Sequence, residues 1–251
     1  VKNCFFPVNG RKGGILQKFQ LILDTETSYQ EYKTKFVAYP IKPIWNIAWI
    51  IQQTNGKVIK VANYKVSEYF NIANNNDFSA NKAKNYKCLE FTSWEYVENA
   101  LEYDMESFSI DTIWAYNASF DFQRIQEMNT LIKALKPSFN PQSYNFGDIW
   151  KLAVTTQAMK SDYFSFCTDN GYITEKGNIK TDAETMYRFL TKDVTFKERH
   201  LALQDCRIET QIFNICKQSK AKTKSYDLSD YVWKIPQDKF HIWADKEIAK
   251  L

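Results

Sequence analysis

The stretch Phe19-Gln-Leu-Ile-Leu-Asp24-Thr25-Glu26 sets the terms on which the rest of the chain is read. It is an apolar run of strand length that ends on a carboxylate, as a central strand of a covered sheet does. An unpaired carboxylate inside a core is costly. Asp24 therefore needs either a cation or an opening at the strand's end. Strand alternation turns residues 24 and 26 to one face, so two carboxylates converge there. Other D-x-E triplets begin at Asp104, Asp182 and Asp245. They lie in charged or helix-like surroundings, where a solvated surface is the ordinary fate of acids.

Working outward, 44–53 and 57–66 form two strand-like runs around Asn55-Gly56, the strongest short-range hairpin signal. Residues 71–87 are rich in Asn, Lys and Ala and read as an exposed excursion. From Ser93, apolar residues recur at helical spacing through Met105. A second buried strand is expected over 110–116, a helix over 119–135 stopping before Pro137, and a further strand over 144–149. Helical patterns follow over 148–159, 183–190 and 196–217. The opening stretch through Gly13-Gly14 reads as a loop. This order of elements predicts a mixed α/β sheet covered by helices.

Composition bounds the class. The chain has 251 residues, 44% of them hydrophobic and 16% aromatic, enough for one large folded domain. A formal charge of +4 eases the approach of a polyanion but does not by itself assign one. Five cysteines with no C-x-x-C pair suggest neither a disulfide framework nor a zinc site, and fit a reducing, cytoplasmic setting. No apolar run reaches the roughly 18–20 residues of a membrane span, and the start does not read as a secretory signal. No membrane role is expected. The first residue is Val, as in a chain that begins inside a longer one or after processing.

Two more acidic positions fall at comparable places. Asn117-Ala-Ser-Phe-Asp121 directly follows the second buried strand, so Asp121 starts the next helix, where an acid also serves the helix dipole. His200-Leu-Ala-Leu-Gln-Asp205 is read as opening the last long helix. Each signal alone is weak. Their order is specific: a strand-end D-x-E, a strand-end N-x-x-x-D, then H-x-x-x-x-D.

On these motifs the chain resembles the DnaQ-like 3′-5′ exonucleases of the DEDDh class. Gly147-Asp-Ile-Trp-Lys-Leu-Ala153 and Thr181-Asp-Ala-Glu-Thr-Met-Tyr-Arg-Phe-Leu190 resemble further segments of that family, and the likeness covers roughly residues 18–217. The resemblance implies an RNase H-like mixed sheet of five strands, the second antiparallel, flanked by helices. Residues 1–217 would be the exonuclease domain, with an insertion over about 67–92 and a C-terminal extension of unassigned role over 218–251, packed on the same domain. It implies catalytic Asp24, Glu26, Asp121, His200 and Asp205, the four acids holding two Mg²⁺ or Mn²⁺ ions and His200 acting as general base. Thr25, Thr27 and Asn117 are the expected substrate-binding residues, although capping and turn roles suit Thr27 and Asn117 equally.

The implied reaction is phosphodiester hydrolysis from a 3′ end, releasing nucleoside 5′-monophosphates. Single-stranded DNA is the expected partner, with RNA trimming or a proofreading role beside a polymerase as alternatives. No protein partner is indicated. Phe120 and Phe122 are candidates for stacking on bases, core packing being their more ordinary role. Lys217, Lys220, Lys222 and Lys224, with Tyr226, Tyr231 and Trp233, are candidates for tracking a strand's phosphates, against a plain solvated basic face. The overall look resembles stand-alone members carried by phages, for which the setting would be the host cytoplasm.

Overall fold

A computed structural model of the chain describes residues 19–34, 37–72, 79, 82, 85–86, 90–218 and 234–249. The opening loop and the stretch from Lys220 to Trp233 lie outside them.

The decisive strand is β1 (Phe19–Thr27). It lies inside a six-stranded sheet, between the antiparallel β4 (Ile44–Gln53) and the parallel β7 (Thr112–Ala115). Outside β4 runs β5 (Val58–Val66), and outside β7 runs β8 (Asn145–Asp148). Within this five-stranded set only β4 opposes the others, which is the RNase H-like arrangement. A short sixth strand, β6 (Glu90–Thr92), extends the edge beside β5. A small separate ribbon pairs β2 (Tyr32–Thr34) with β3 (Val37–Ile41).

The β4–β5 hairpin turns where Asn55-Gly56 predicts. Gly56 N–H donates to Gln53 O at 2.9 Å, and Gly56 takes φ of 87°, which a side chain would resist. β4 is buried along nearly its whole length, as a strand covered on both faces must be.

Alternation along β1 and β4 builds two cores. Leu21, Leu23, Ile47, Trp49 and Ile51 face α2 (Trp94–Ser107) and α3 (Ala118–Leu135). On the other side, Ile22, Ala48 and Ile50 pack in clusters that include α7 (Ala202–Gln218). The second cluster is completed by α4 (Ile149–Ala153), α5 (Ser161–Asp169) and α6 (Ala183–Thr191). A π-helical turn, Val154–Ala158, continues α4. Ser93 caps α2 by accepting from Tyr96 N–H.

Two expectations are corrected. Helix α7 begins at Ala202, so residues 196–201 approach it as an irregular segment and His200 precedes the helix. The 71–87 stretch is not a simple exposed excursion: α1 (Ser67–Ile72) runs into it, Ser79 within it is buried to 2% exposure, and β6 follows it. In the C-terminal stretch, α8 (Lys234–Ile248) docks Phe240 and Trp243 on Phe164 of α5. Gln237 of the same helix exchanges two hydrogen bonds with the Ile179 backbone.

Candidate active site

The end of β1 delivers Asp24 and Glu26 to the face covered by α7. Small Ala48 is the β4 partner of Asp24. α7 is fixed there at both ends. Ala202 N–H donates to Asn46 Oδ1 at 3.1 Å, and the Gln52 and Asn214 side chains form a reciprocal pair at 2.8 and 2.9 Å. That placement brings Asp205, buried in the first turn of the helix, over the end of β1.

Glu26, Asp205 and His200 form a tight group, with one potential ligand atom from each lying within 4.8 Å of the others. His200 stands in a left-handed conformation, φ 52°, which costs a non-glycine residue about 1–2 kcal/mol. Its side chain is 64% exposed, and Nδ1 lies 3.8 Å from Glu198 Oε2, too far for a hydrogen bond.

Asp121 is buried in the first turn of α3, and Thr25 holds it twice. The Thr25 N–H and hydroxyl donate to its Oδ1 at 3.0 and 2.7 Å. The Thr25 backbone donor, expected to meet a nucleotide, is therefore already engaged. Thr27 lines the cleft. Asn117, left-handed at the N-cap of α3, lines an adjoining cavity with Trp150 and Thr181. Its N–H donates to Asp148 Oδ1 at 3.2 Å. Phe120 is 38% exposed at the cleft, whereas Phe122 packs edge-on against Phe146.

The cleft holds about 390 Å³ and is lined among others by Asp24, Glu26, His200, Asp205, Glu198 and Glu209. The last two were not singled out from sequence. Glu209 is nearly fully buried and accepts from Tyr116 N–H at 3.2 Å. A signal for it existed, because it follows Asp205 by one helical turn and so shares its face. Glu198 faces the same group from the irregular segment. The 67–92 stretch supplies a cation, Lys82, to the lining.

Crowded acids in a low-dielectric pocket shift one another. Burial first, and then Glu209, Asp121, Glu26 and Asp205, raise Asp24 well above the ordinary carboxylate range. Burial lifts Glu26 to about 7 despite the attraction of Lys82. Asp121 is likewise lifted to about 7, against the two Thr25 donors. Burial and Glu26 bring Asp205 to about 8, and burial and Asp205 bring Glu198 to about 8. Glu209 is raised well above its ordinary value by burial and by Asp121.

Two unit charges at 4.8 Å repel by about 3.5 kcal/mol at an effective dielectric constant of 20. The group cannot be fully ionised near neutral pH without protons or cations. Asp24 Oδ2 and Asp205 Oδ1 are sealed from solvent and have no hydrogen-bond partner among the described residues. Such orphaned oxygens in an almost all-oxygen donor set fit a hard divalent cation.

No protein-family model matches the chain, and no curated protein matches it. Solved structures do. Exonuclease I without ligand superposes with a TM-score of 0.52 at 14% identity, covering 87% of this chain and 45% of that one. A zinc-bound complex of Escherichia coli exonuclease I with single-stranded DNA gives 0.50 at 15% identity, covering 87% and 43%. The E. coli enzyme with a 5cy-dT13 oligonucleotide gives 0.50 at 12%, with the same coverage as the zinc-bound complex. The chain spans less than half the length of these proteins. At such identities the likeness is one of fold: this chain has the mixed α/β architecture of the part of exonuclease I that it covers.

Proposed function

We propose that the chain is a metal-dependent 3′-5′ exonuclease of the DEDDh class, hydrolysing single-stranded DNA to nucleoside 5′-monophosphates. The observation that carries this reading is the convergence of Asp24, Glu26 and Asp205, with Asp121 buried behind them, where Asp24 Oδ2 and Asp205 Oδ1 have no hydrogen-bond partner among the described residues. A cleft meant for phosphates has no use for such a cluster unless cations reverse its charge.

Asp24, Glu26, Asp121 and Asp205 would hold Mg²⁺ or Mn²⁺, oxygen ligands being suited to both. A bound pair of ions stabilises the attacking and leaving oxygens of an in-line phosphoryl displacement. Thr25 orients Asp121 through its two hydrogen bonds. His200, within reach of Glu26 and Asp205, takes the proton of the attacking water, a task suited to an imidazole at neutral pH. Its exposure lets the proton pass on to solvent. Thr27 and Phe120 line the cleft where a terminal nucleotide would lie, and Asn117 would meet it from beyond Tyr116. Exonuclease I is seen in complex with single-stranded DNA and with a 5cy-dT13 oligonucleotide, which supports that substrate class here.

The test is digestion of 5′-labelled single-stranded DNA and RNA of matched sequence with Mg²⁺, Mn²⁺ or EDTA, beside Asp24→Ala. A metal-dependent ladder shortening from the 3′ end, absent in the variant, is the expected result. Preference for RNA would move the reading to an exoribonuclease. No cleavage with either metal would overturn it in favour of an accessory subunit.

A further inference from the structure

Three described residues of the inserted stretch return to the cleft, and each fastens to a different wall. Ser79 accepts from Tyr29 N–H at 3.0 Å and donates to Thr27 O at 3.4 Å, which ties it to the end of β1. Tyr86 sets its ring edge-on to Trp45 of β4 and accepts from Asn63 Nδ2 of β5 at 3.1 Å. Lys82 passes over the Trp45 ring, 5.9 Å from its centroid. Its ammonium donates to two successive carbonyls, those of Arg199 at 3.0 Å and of His200.

Two backbone acceptors in a row are an unusual destination for a lysine at a cleft lined with acids. An ion pair is the ordinary expectation, and among the described residues Lys82 makes none within 4.0 Å. The His200 ring makes no hydrogen bond among the described residues, so its direction depends on the backbone that carries it. That backbone is left-handed at His200 itself and is pinned on either side by Lys82 and by the Asn46 contact to Ala202.

We propose that Lys82 is a positioning residue: by gripping the 199–200 carbonyls it holds the His200 imidazole toward Glu26 and Asp205. This role rests on the exonuclease reading above. It gives the insertion a purpose, since the segment braces the end of β1 and, from the opposite side, the approach to α7. The ammonium also lies in the lining of the same cleft as Glu26 and Asp205.

Lys82→Met keeps the length and apolar stem and removes only the donors, whereas Lys82→Arg keeps donors and charge. We expect Lys82→Met to lower kcat at least about ten-fold with KM within about two-fold, the pattern of a group misaligned at the reacting centre. Arginine should recover most of the loss. Mn²⁺ affinity measured by calorimetry should not weaken in the methionine variant, because a positive charge has left the site. An unchanged kcat would overturn the role. So would a raised KM at constant kcat, which marks a direct phosphate contact, or weakened Mn²⁺ binding that accounts for the loss. If the wild-type chain cleaves nothing, the exonuclease reading itself fails, and this role falls with it.

Discussion

Glu209 and His200 mark the two ways a side chain serves this cleft, by charge and by aim. Glu209 is buried beside Asp24 and Asp121, where burial and the neighbouring acids oppose its ionisation. Its Tyr116 hydrogen bond needs only a carbonyl-type acceptor, which glutamine supplies. Glu209→Gln should therefore raise the melting temperature of the EDTA-treated protein by about 2–4 °C, roughly the effect of 1 kcal/mol in a chain of this size. It should also weaken Mn²⁺ binding in calorimetry; lower stability in EDTA would show that the charge is not a burden. In the proposed reaction His200 bears on turnover instead. We expect His200→Ala to lower kcat by about 10²–10⁴-fold, the range of general-base catalysis, while Mn²⁺ affinity stays within a few-fold. Asp24→Asn should lose both. Equal loss of metal binding in the two variants would make His200 a ligand rather than a base.

At the scale of elements, the close approach of β7 and β8 sets the wall behind Asp148. A Cβ built on Gly147 would lie 2.6 Å from the Trp114 ring, which is wedged against Phe213 of α7. Gly147→Ala should thus cost about 1–3 kcal/mol, the usual penalty for overpacking, seen as an earlier urea midpoint at unchanged slope. A midpoint equal to wild type would mean that Trp114 can retreat freely. Elements decided by local pattern were legible in the sequence: the apolar run of β1, the Asn55-Gly56 hairpin, and the periodic α2, α3 and α6. The start of α7 was not. Residues 196–201 carry side chains that tolerate a helix, but the Ala202 N–H is taken by Asn46, 156 positions away, and the carbonyls of Arg199 and His200 are taken by Lys82. Such contacts exist only once the sheet has formed, so pattern cannot reveal them. The 67–92 stretch was opaque for the same reason. Its polar composition reads as solvent-facing, yet Ser79 is buried because the end of β1 offers it a donor and an acceptor. Of the candidate site residues, Asp24, Glu26 and Asp205 were legible because strand ends and helix turns fix their faces. That Thr25 serves Asp121 was not, since it depends on where α3 starts relative to β1.

For the molecule as a whole, the acid cluster sets how stability responds to pH and metal. In the metal-free fold, Glu26 and Asp121 sit at about 7 and Asp205 and Glu198 at about 8, against ordinary values of 3.8 to 4.5, with Asp24 and Glu209 also raised. Between those limits the folded chain binds more protons than the unfolded one, so stability falls as pH rises. Below about 4 both states are protonated, and the effect is complete. The chelated protein should therefore melt higher at pH 5.5 than at pH 8, by upward of about 3 °C, since even 1 kcal/mol gives a shift of that order. Divalent cations compete with the protons, so they should stabilise most where protons have left. Thermal scans at both pH values, in EDTA and in 10-fold steps of Mg²⁺, test this directly. The expected result is a Mg²⁺-induced gain that is large at pH 8 and small at pH 5.5, enough to cancel or reverse the pH trend. A chelated protein more stable at pH 8 would mean that the cluster is already neutralised by residues of the chain itself, and the case for metal would lose its electrostatic basis. The same scans on Glu26→Gln should show a shallower pH slope, because one of the groups that titrates across the window has been removed.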